Sequence, residues 1–275
     1  MTPYLWLFPV GVLIGAFGTL IGAGGGFVLT PMLLLVYPDE SPDTITSISL
    51  AVVFFNALSG SVAYARMQRI DYASGVLFAL ATIPGAVVGA LTTTYMPRQT
   101  FNLVFGLCMI LAAIFLFLRG EAASKRAAQH KTRYYVTRHM VEAGGTQYTF
   151  SYNRMVGVGL SIAVGYLSSL LGIGGGIIHV PAMTHVLHFP IHIATATSHF
   201  TLAVMALTGT LVHIATGSLS YHHGFWRTIA LGLGVLLGAQ FGARFSHRVR
   251  GQWILRSLAV ALGLVGLRIL VLAFV

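Results

Sequence analysis

Two short polar steps stand inside otherwise apolar stretches, Thr46-Ser47 and Thr197-Ser198-His199. Each follows a glycine cluster: Gly22-Ala23-Gly24-Gly25-Gly26 precedes the first, and Gly172-Ile173-Gly174-Gly175-Gly176 precedes the second. Adjacent glycines let a chain turn sharply and let a ligand come close to the backbone. Successive N–H groups opening the half-helix that follows suit an anion. Hydroxyls donate hydrogen bonds without carrying charge, so they can hold an anion without trapping it. The candidate binding residues are therefore Gly24, Gly25, Gly26, Thr46, Ser47 and Asn56, with Gly174, Gly175, Gly176, Thr197, Ser198 and His199. The plainer reading of a Ser or Thr in such a segment is a hydrogen bond to its own helix. That reading is taken for Ser49 and Thr201, and both readings stand for the two Thr-Ser steps. His199 is the candidate for carrying a proton with the anion; a satisfied interior histidine is the alternative.

Other chemistry has less support. Most of the 11 histidines fall in the second half, and His188 and His192 are four apart. Two such histidines on one helix face could hold a metal. However, Pro190 lies between them, and neither a cysteine nor a carboxylate joins them. No nucleophile with an adjacent base is evident, so an enzyme is not expected. No GxxxxGK[ST] motif is present, so direct drive by a nucleotide is not expected, and no cofactor is implied. Asp71 is the acid nearest a span, and beside Arg69 it reads as a cap at the membrane edge.

The elements that must position these residues follow from composition. Of 275 residues, 56% are hydrophobic and only 8% charged, with a net charge of +10. Ordinary domains carry about a quarter charged residues, so this chain cannot cover a water-soluble surface. A nucleic-acid reading would need a basic face on a soluble scaffold, whereas here the basic residues sit between long apolar runs. The chain reads as an all-α integral membrane protein. Its single cysteine, Cys108, excludes a disulfide framework. Met1-Thr2-Pro3 lacks a positive n-region, so no cleavable signal peptide is expected.

Six stretches have the roughly 20 apolar residues that a crossing needs. They are Thr44–Ala65, Ala73–Tyr95, Gln99–Leu118, Ile193–Thr216, Gly224–Ala243 and Gln252–Val275. Two longer stretches, Tyr4–Tyr37 and Met155–Leu187, are each interrupted by a glycine cluster. As single straight helices they would exceed a bilayer's thickness. Eight hydrophobic segments result. Trp6, Trp226 and Trp253 lie near segment ends, as an interfacial belt requires.

The segments repeat. GAFGTLIGAGGGFVLTP at 15–31 matches GYLSSLLGIGGGIIHVP at 165–181. Thr46-Ser47 then matches Thr197-Ser198, Ser59-Gly60-Ser61 matches Thr208-Gly209-Thr210, and Ile70-Asp71-Tyr72 matches Leu219-Ser220-Tyr221. Gly85 and Gly89 match Gly234 and Gly238, at the spacing small residues use for helix packing. The expected organisation is a first membrane repeat at 1–118, a basic loop at 119–153 and a second membrane repeat at 154–275. Each repeat holds four segments, and the first of the four is broken.

If the broken segments re-enter, the repeats are inverted; if they cross, the repeats are parallel. The inverted arrangement puts 13 basic residues on the cytoplasmic side and three outside, against 11 and five for the parallel one. The positive-inside rule therefore favours inversion. Either way the 119–153 loop is cytoplasmic. Within it, Tyr134–Val141 and Thr146–Tyr152 flank Gly144-Gly145 as a β-hairpin would.

The paired GxGGG-x4-P clusters, each followed by a Thr-Ser step, resemble the sulfite exporter TauE/SafE family across most of the chain outside 119–153. The Gly-Ala-x-x-Gly-Ala companions strengthen the resemblance. It implies a secondary carrier, an exporter, of a small sulfur-containing anion such as sulfite or an organosulfonate, in the bacterial inner membrane. The partners expected are that anion and the lipid bilayer, with a homodimer left open and no nucleic acid. The basic central loop and the second-half histidines depart from the family pattern. An anion channel, or a transition-metal carrier using those histidines, remains the alternative.

Overall fold

The structure is a computed structural model and describes residues 4–119, 134–218, 223–246 and 251–274. The Leu219-Ser220-Tyr221 match, Arg248 and Arg250 lie outside the described residues, as do the side chains of Trp253 and Arg256.

Each interrupted stretch forms two helices. The first gives α1 (Leu7–Ile21) and α2 (Gly26–Val36); the second gives α6 (Arg154–Leu171) and α7 (Gly176–His185). Between them run α3 (Pro42–Arg66), α4 (Tyr72–Thr94) and α5 (Arg98–Arg119). After α7 come α8 (Ile191–Ala215), α9 (His223–Phe245) and α10 (Gly251–Val271). Local signals set these boundaries. Ser41 caps α3 by accepting from the Thr44 amide, with Pro42 opening the helix. Asn153 caps α6 by accepting from the amides of Met155 and Val156.

Among the described residues, α3, α4, α5, α6, α8 and α9 are long and apolar enough to cross a membrane. α6 reaches that length although it is only one arm of an interrupted stretch; α1, with 15 residues, does not. Exposed Leu13, Leu80, Leu111, Phe117, Leu211 and Leu264 put apolar surface on the outside of the bundle. Exposed apolar surface on this scale is suited to lipid and not to water.

α3 and α8 form the centre. They run in opposite directions, since Gly60 of α3 lies against His199 while Gly209 of α8 lies against Leu50. α1 packs on α9 and α6 on α4, each pair parallel. Gly85 and Gly89 meet Ile162 and Tyr166 of α6, and Gly234 and Gly238 meet Phe8 and Val12 of α1. Their role is the close packing that their spacing predicts. α5 and α10 pair antiparallel on the flank, where Gln99 donates to the Ala273 carbonyl at 3.1 Å.

The hairpin expected in the central loop forms as β1 (Tyr135–Val141) and β2 (Gln147–Asn153), in register from Tyr135↔Asn153 to Val141↔Gln147. It lies against the bundle through aromatic contacts. Phe150 and Tyr152 pack on Phe189 with ring centroids 4.4 and 5.0 Å apart, and Tyr152 also meets Phe78 edge-on.

Candidate functional site

The two helix breaks meet at the middle of the α3–α8 pair. α1 ends on Gly22 and α6 on Gly172, with φ of 80° and 66°. This left-handed conformation is what makes glycine the usual residue just past a helix end. The breaks approach so closely that no side chain fits between them. A Cβ on Gly26 would lie 2.6 Å from the Ile173 carbonyl oxygen, and one on Gly176 would lie 2.2 Å from that of Gly22. The start of each second arm therefore abuts the backbone of the other break.

Several carbonyls at the ends of α1 and α6 are engaged. Gly18 O accepts from the amides of Ala23 and Gly24, and Ser168 O from those of Gly172 and Ile173. Thr19 O accepts from the Tyr64 hydroxyl at 2.7 Å. Gly172 O accepts from Thr30 Oγ1 at 2.8 Å and Ser49 Oγ at 2.6 Å. Donors remain. The amides of Gly25, Gly26, Phe27, Gly174, Gly175 and Ile177 close no hydrogen bond among the described residues. Asn56 Nδ2 and the hydroxyls of Ser168, Ser169 and Ser198 are buried and also lack partners. Buried donors are normally satisfied, which singles this cluster out among the described residues. The N-terminal dipoles of α2 and α7 add positive potential at the same point.

The side chains around the junction differ between its two sides. On one side Thr19 Oγ1 donates to Asn56 Oδ1 at 2.9 Å and sits 3.3 Å from His199 Nε2. A hydroxyl has a single proton, so with that proton on Asn56 the imidazole must donate from Nε2. Tyr64 meets the His199 ring edge-on at 5.8 Å. Gly60 makes room for the ring, since a Cβ there would lie 2.5 Å from Nε2. This group joins α1, α3 and α8, and all four side chains are buried.

The sequence-predicted residues divide. Gly24 to Gly26, Gly174 to Gly176, Asn56 and His199 lie at the junction. Thr46 and Ser47 bond carbonyls of their own helix, those of Asp43 and Thr44. Thr197 Oγ1 accepts from the Asp71 amide at 3.0 Å, and Ser198 is buried without a hydrogen-bond partner among the described residues. Aligning the two 25-residue helices α3 and α8 end to end pairs Thr46 with Thr195 and not with Thr197. The contacts agree: Thr46 lies against Gly172 and Thr195 against Gly22. The Thr-Ser pairing read from sequence is thus two residues out of step, because the repeated dipeptide masked the true register.

Ser49 overturns its expectation by reaching across to Gly172 instead of bonding its own helix. Thr201 likewise points at the Gly75 carbonyl, at 3.4 Å. Thr19, Thr30 and Tyr64 went unnoticed in the sequence. Thr19 offered one signal, as a hydroxyl three residues before a glycine break; Thr30 and Tyr64 offered none.

At the hairpin end of the seam, Asp71 caps α4 and accepts from Ser74. Its ion-pair partner is Arg138 of β1, at 2.7 Å, and not the neighbouring Arg69. Hydrogen bonds donated to Asp71 hold the Arg138 guanidinium above its ordinary pKa. Arg69 pairs instead with Glu142 in the hairpin turn. Among the described residues no three His, Cys, Asp or Glu side chains converge as metal ligands. His188 has a φ of 58°, in the turn before α8.

Comparison with known proteins completes the picture. Residues 7–269 match the model of the family described as "Sulfite exporter TauE/SafE". The chain is 32% identical to "Probable membrane transporter protein YunE" of Bacillus subtilis (strain 168), over 97% of both chains. It is 31% identical to a "Probable membrane transporter protein" of Xylella fastidiosa (strain 9a5c), over 92% of this chain and 91% of that one. It is 22% identical to "Probable membrane transporter protein MJ0441" of Methanocaldococcus jannaschii, over 96% of both. No solved structure matches. A bundle of apolar helices with this match across nearly its whole length is a membrane transporter, and the chain belongs to the sulfite exporter TauE/SafE family.

Proposed function

We propose that the protein is a secondary carrier exporting a small anion, sulfite or an organosulfonate, held where the two helix breaks meet. The observation that carries this reading is the cluster of buried donors there without partners among the described residues, beside helix-end carbonyls of which several are already engaged. A sulfonate presents three oxygen acceptors and one charge, which amides and hydroxyls can match without a buried cation. Gly24, Gly25, Gly26, Gly174, Gly175 and Gly176 supply backbone; Asn56 and Ser198 supply side-chain donors; His199 carries the proton. Thr46, Ser47 and Thr197 shape the walls from the flanking turns of α3 and α8. The family name supports the sulfur-containing class of substrate.

The carrier works as two inverted repeats, 1–118 and 154–275, each of four segments with the first re-entrant, joined by the 119–153 segment on the cytoplasmic side. The antiparallel course of α3 and α8 supports inversion, as does the parallel pairing of α1 with α9 and α6 with α4. The bacterial plasma membrane is the setting, and the two halves rock about the junction. Proteoliposomes preloaded with sulfite, sulfoacetate, taurine or a divalent metal test the reading. The expected result is saturable uptake stimulated by the same anion inside. Linear, unstimulated flux, or stimulation by the metal alone, overturns it.

A further inference from the structure

The two ends of the α3–α8 seam carry different ionic contacts. At the hairpin end the contact is the pair of Arg138 with Asp71, which ties the hairpin to the cap of α4 while the Asp71 amide donates to Thr197 of α8. At the opposite, distal end it is a carboxylate with a histidine. Asp43, in the first turn of α3, places Oδ1 3.0 Å from Nδ1 of His213, in the last turn of α8. The His213 side chain is 1% exposed and that of Asp43 15%. The contact is a close approach: neither His213 ring nitrogen makes a hydrogen bond of good geometry among the described residues.

The surroundings isolate this pair. From α4, Thr94 Oγ1 donates to Asp43 Oδ1 at 3.2 Å, and Ser218, just past α8, also bonds Asp43. The other charges at this end belong to a separate group. Arg227 of α9 pairs with Glu40 at 2.7 Å and stacks on Tyr37. Arg98 of α5 donates to the carbonyls of Glu40 and Leu34 and faces Asp39. Among the described residues, Asp43–His213 is the ion-pair contact that joins α3 directly to α8.

We infer that Asp43 and His213 form a proton-binding site that fastens the distal end of the seam. Neutral His213 holds its Nδ1 3.0 Å from the carboxylate. A proton added to the ring gives an imidazolium beside that carboxylate, and the attraction rises because the pair is shielded from water. Proton binding therefore closes the distal end, and proton loss frees it. The consequence for transport rests on the carrier reading, since a carrier opens its two ends in turn; the closure itself does not.

The test needs no substrate. Cys108→Ser removes the native thiol, and Thr210→Cys, one turn below His213 and buried, reports opening. The protein is reconstituted in nanodiscs, which expose both faces, and its labelling rate with a hydrophilic maleimide is followed between about pH 5.5 and pH 8, spanning the histidine range. The reaction speeds up with pH by itself, so each rate is divided by that of the same protein carrying His213→Gln, which copies the neutral ring. The ratio is expected to be suppressed about fivefold or more at the acid end and to approach one at the alkaline end. Asp43→Asn, an isosteric change, is expected to abolish that pH dependence. A ratio independent of pH, a thiol unreactive throughout, or the same pH dependence in Asp43→Asn overturns the inference. Because no anion is transported, failure here is distinct from failure of the exchange assay.

Discussion

The two sides of the junction have nearly the same backbone and different linings. Each break ends one helix on a left-handed glycine and starts the next against its neighbour's backbone. On one side the lining is Thr19, Asn56, His199 and Tyr64. Aligned through α3 and α8, the matching positions on the other side are Ser169, Met205, Leu50 and His213. There Ser169 Oγ and Leu50 face Gly209 as Thr19 and His199 face Gly60, but nothing links them by hydrogen bonds among the described residues. The Met205 thioether fills the space beside Gly175. The two breaks thus make one meeting place, and point differences put a linked polar group on one side and the apolar Leu50 and Met205 in place of His199 and Asn56 on the other.

The largest test of this comparison is to separate the breaks. Gly176→Ala puts a methyl 2.2 Å from the Gly22 carbonyl oxygen, where no flexible side chain can yield. A loss of about 3 kcal/mol or more is expected, visible as a marked drop in the thermal unfolding temperature in detergent. Gly26→Ala should behave alike. Unchanged stability in both would mean that the breaks are not in contact.

The sides themselves are told apart by transport. Asn56→Leu removes the free amide donor and leaves Thr19 without its acceptor. The expected loss is about tenfold or more in anion exchange, the effect of one lost buried hydrogen bond to a charged ligand. Met205→Leu, a volume-conserving change on the apolar side, should stay within about threefold. Equal losses in the two variants would erase the distinction between the sides.

A smaller effect is expected at the rim. Ser49→Ala removes one of two hydroxyls on the Gly172 carbonyl, and Thr30 still serves it. About 1 kcal/mol of stability should go, with exchange nearly unchanged. Thr30→Ala with Ser49→Ala leaves the carbonyl bare, and a loss greater than the sum of the single changes would mark the two hydroxyls as a coupled pair.

Much of the fold was legible because membrane helices advertise themselves. Length and hydrophobicity located the unbroken helices, with ends displaced by about two residues or fewer except at the end of α10, which stops at Val271. The hairpin was legible from Gly144-Gly145 between strand-like runs. The junction was legible at the glycines, where the chain does something costly, and at Asn56 and His199. Its hydroxyls were not, because a Ser or Thr in a helix bonds its own carbonyl or crosses to another element according to what lies beside it. Ser47 and Ser49, two residues apart on α3, took opposite courses.

The sequence by itself determined that the chain lives in a membrane, that two of its segments break at glycine triplets, and that a second copy of the pattern follows the first. Apolar length, glycine's freedom and repetition are local properties, so they survive without knowledge of the neighbours. Tertiary structure alone decided that the breaks touch, that Thr195 is the counterpart of Thr46, and that Asp71 answers Arg138 while Asp43 answers His213. Those partners, with Thr19 and His199, are between 67 and 180 residues apart. No spacing rule reaches that far; only the packing of α3 against α8, and of the hairpin on the bundle, brings them together.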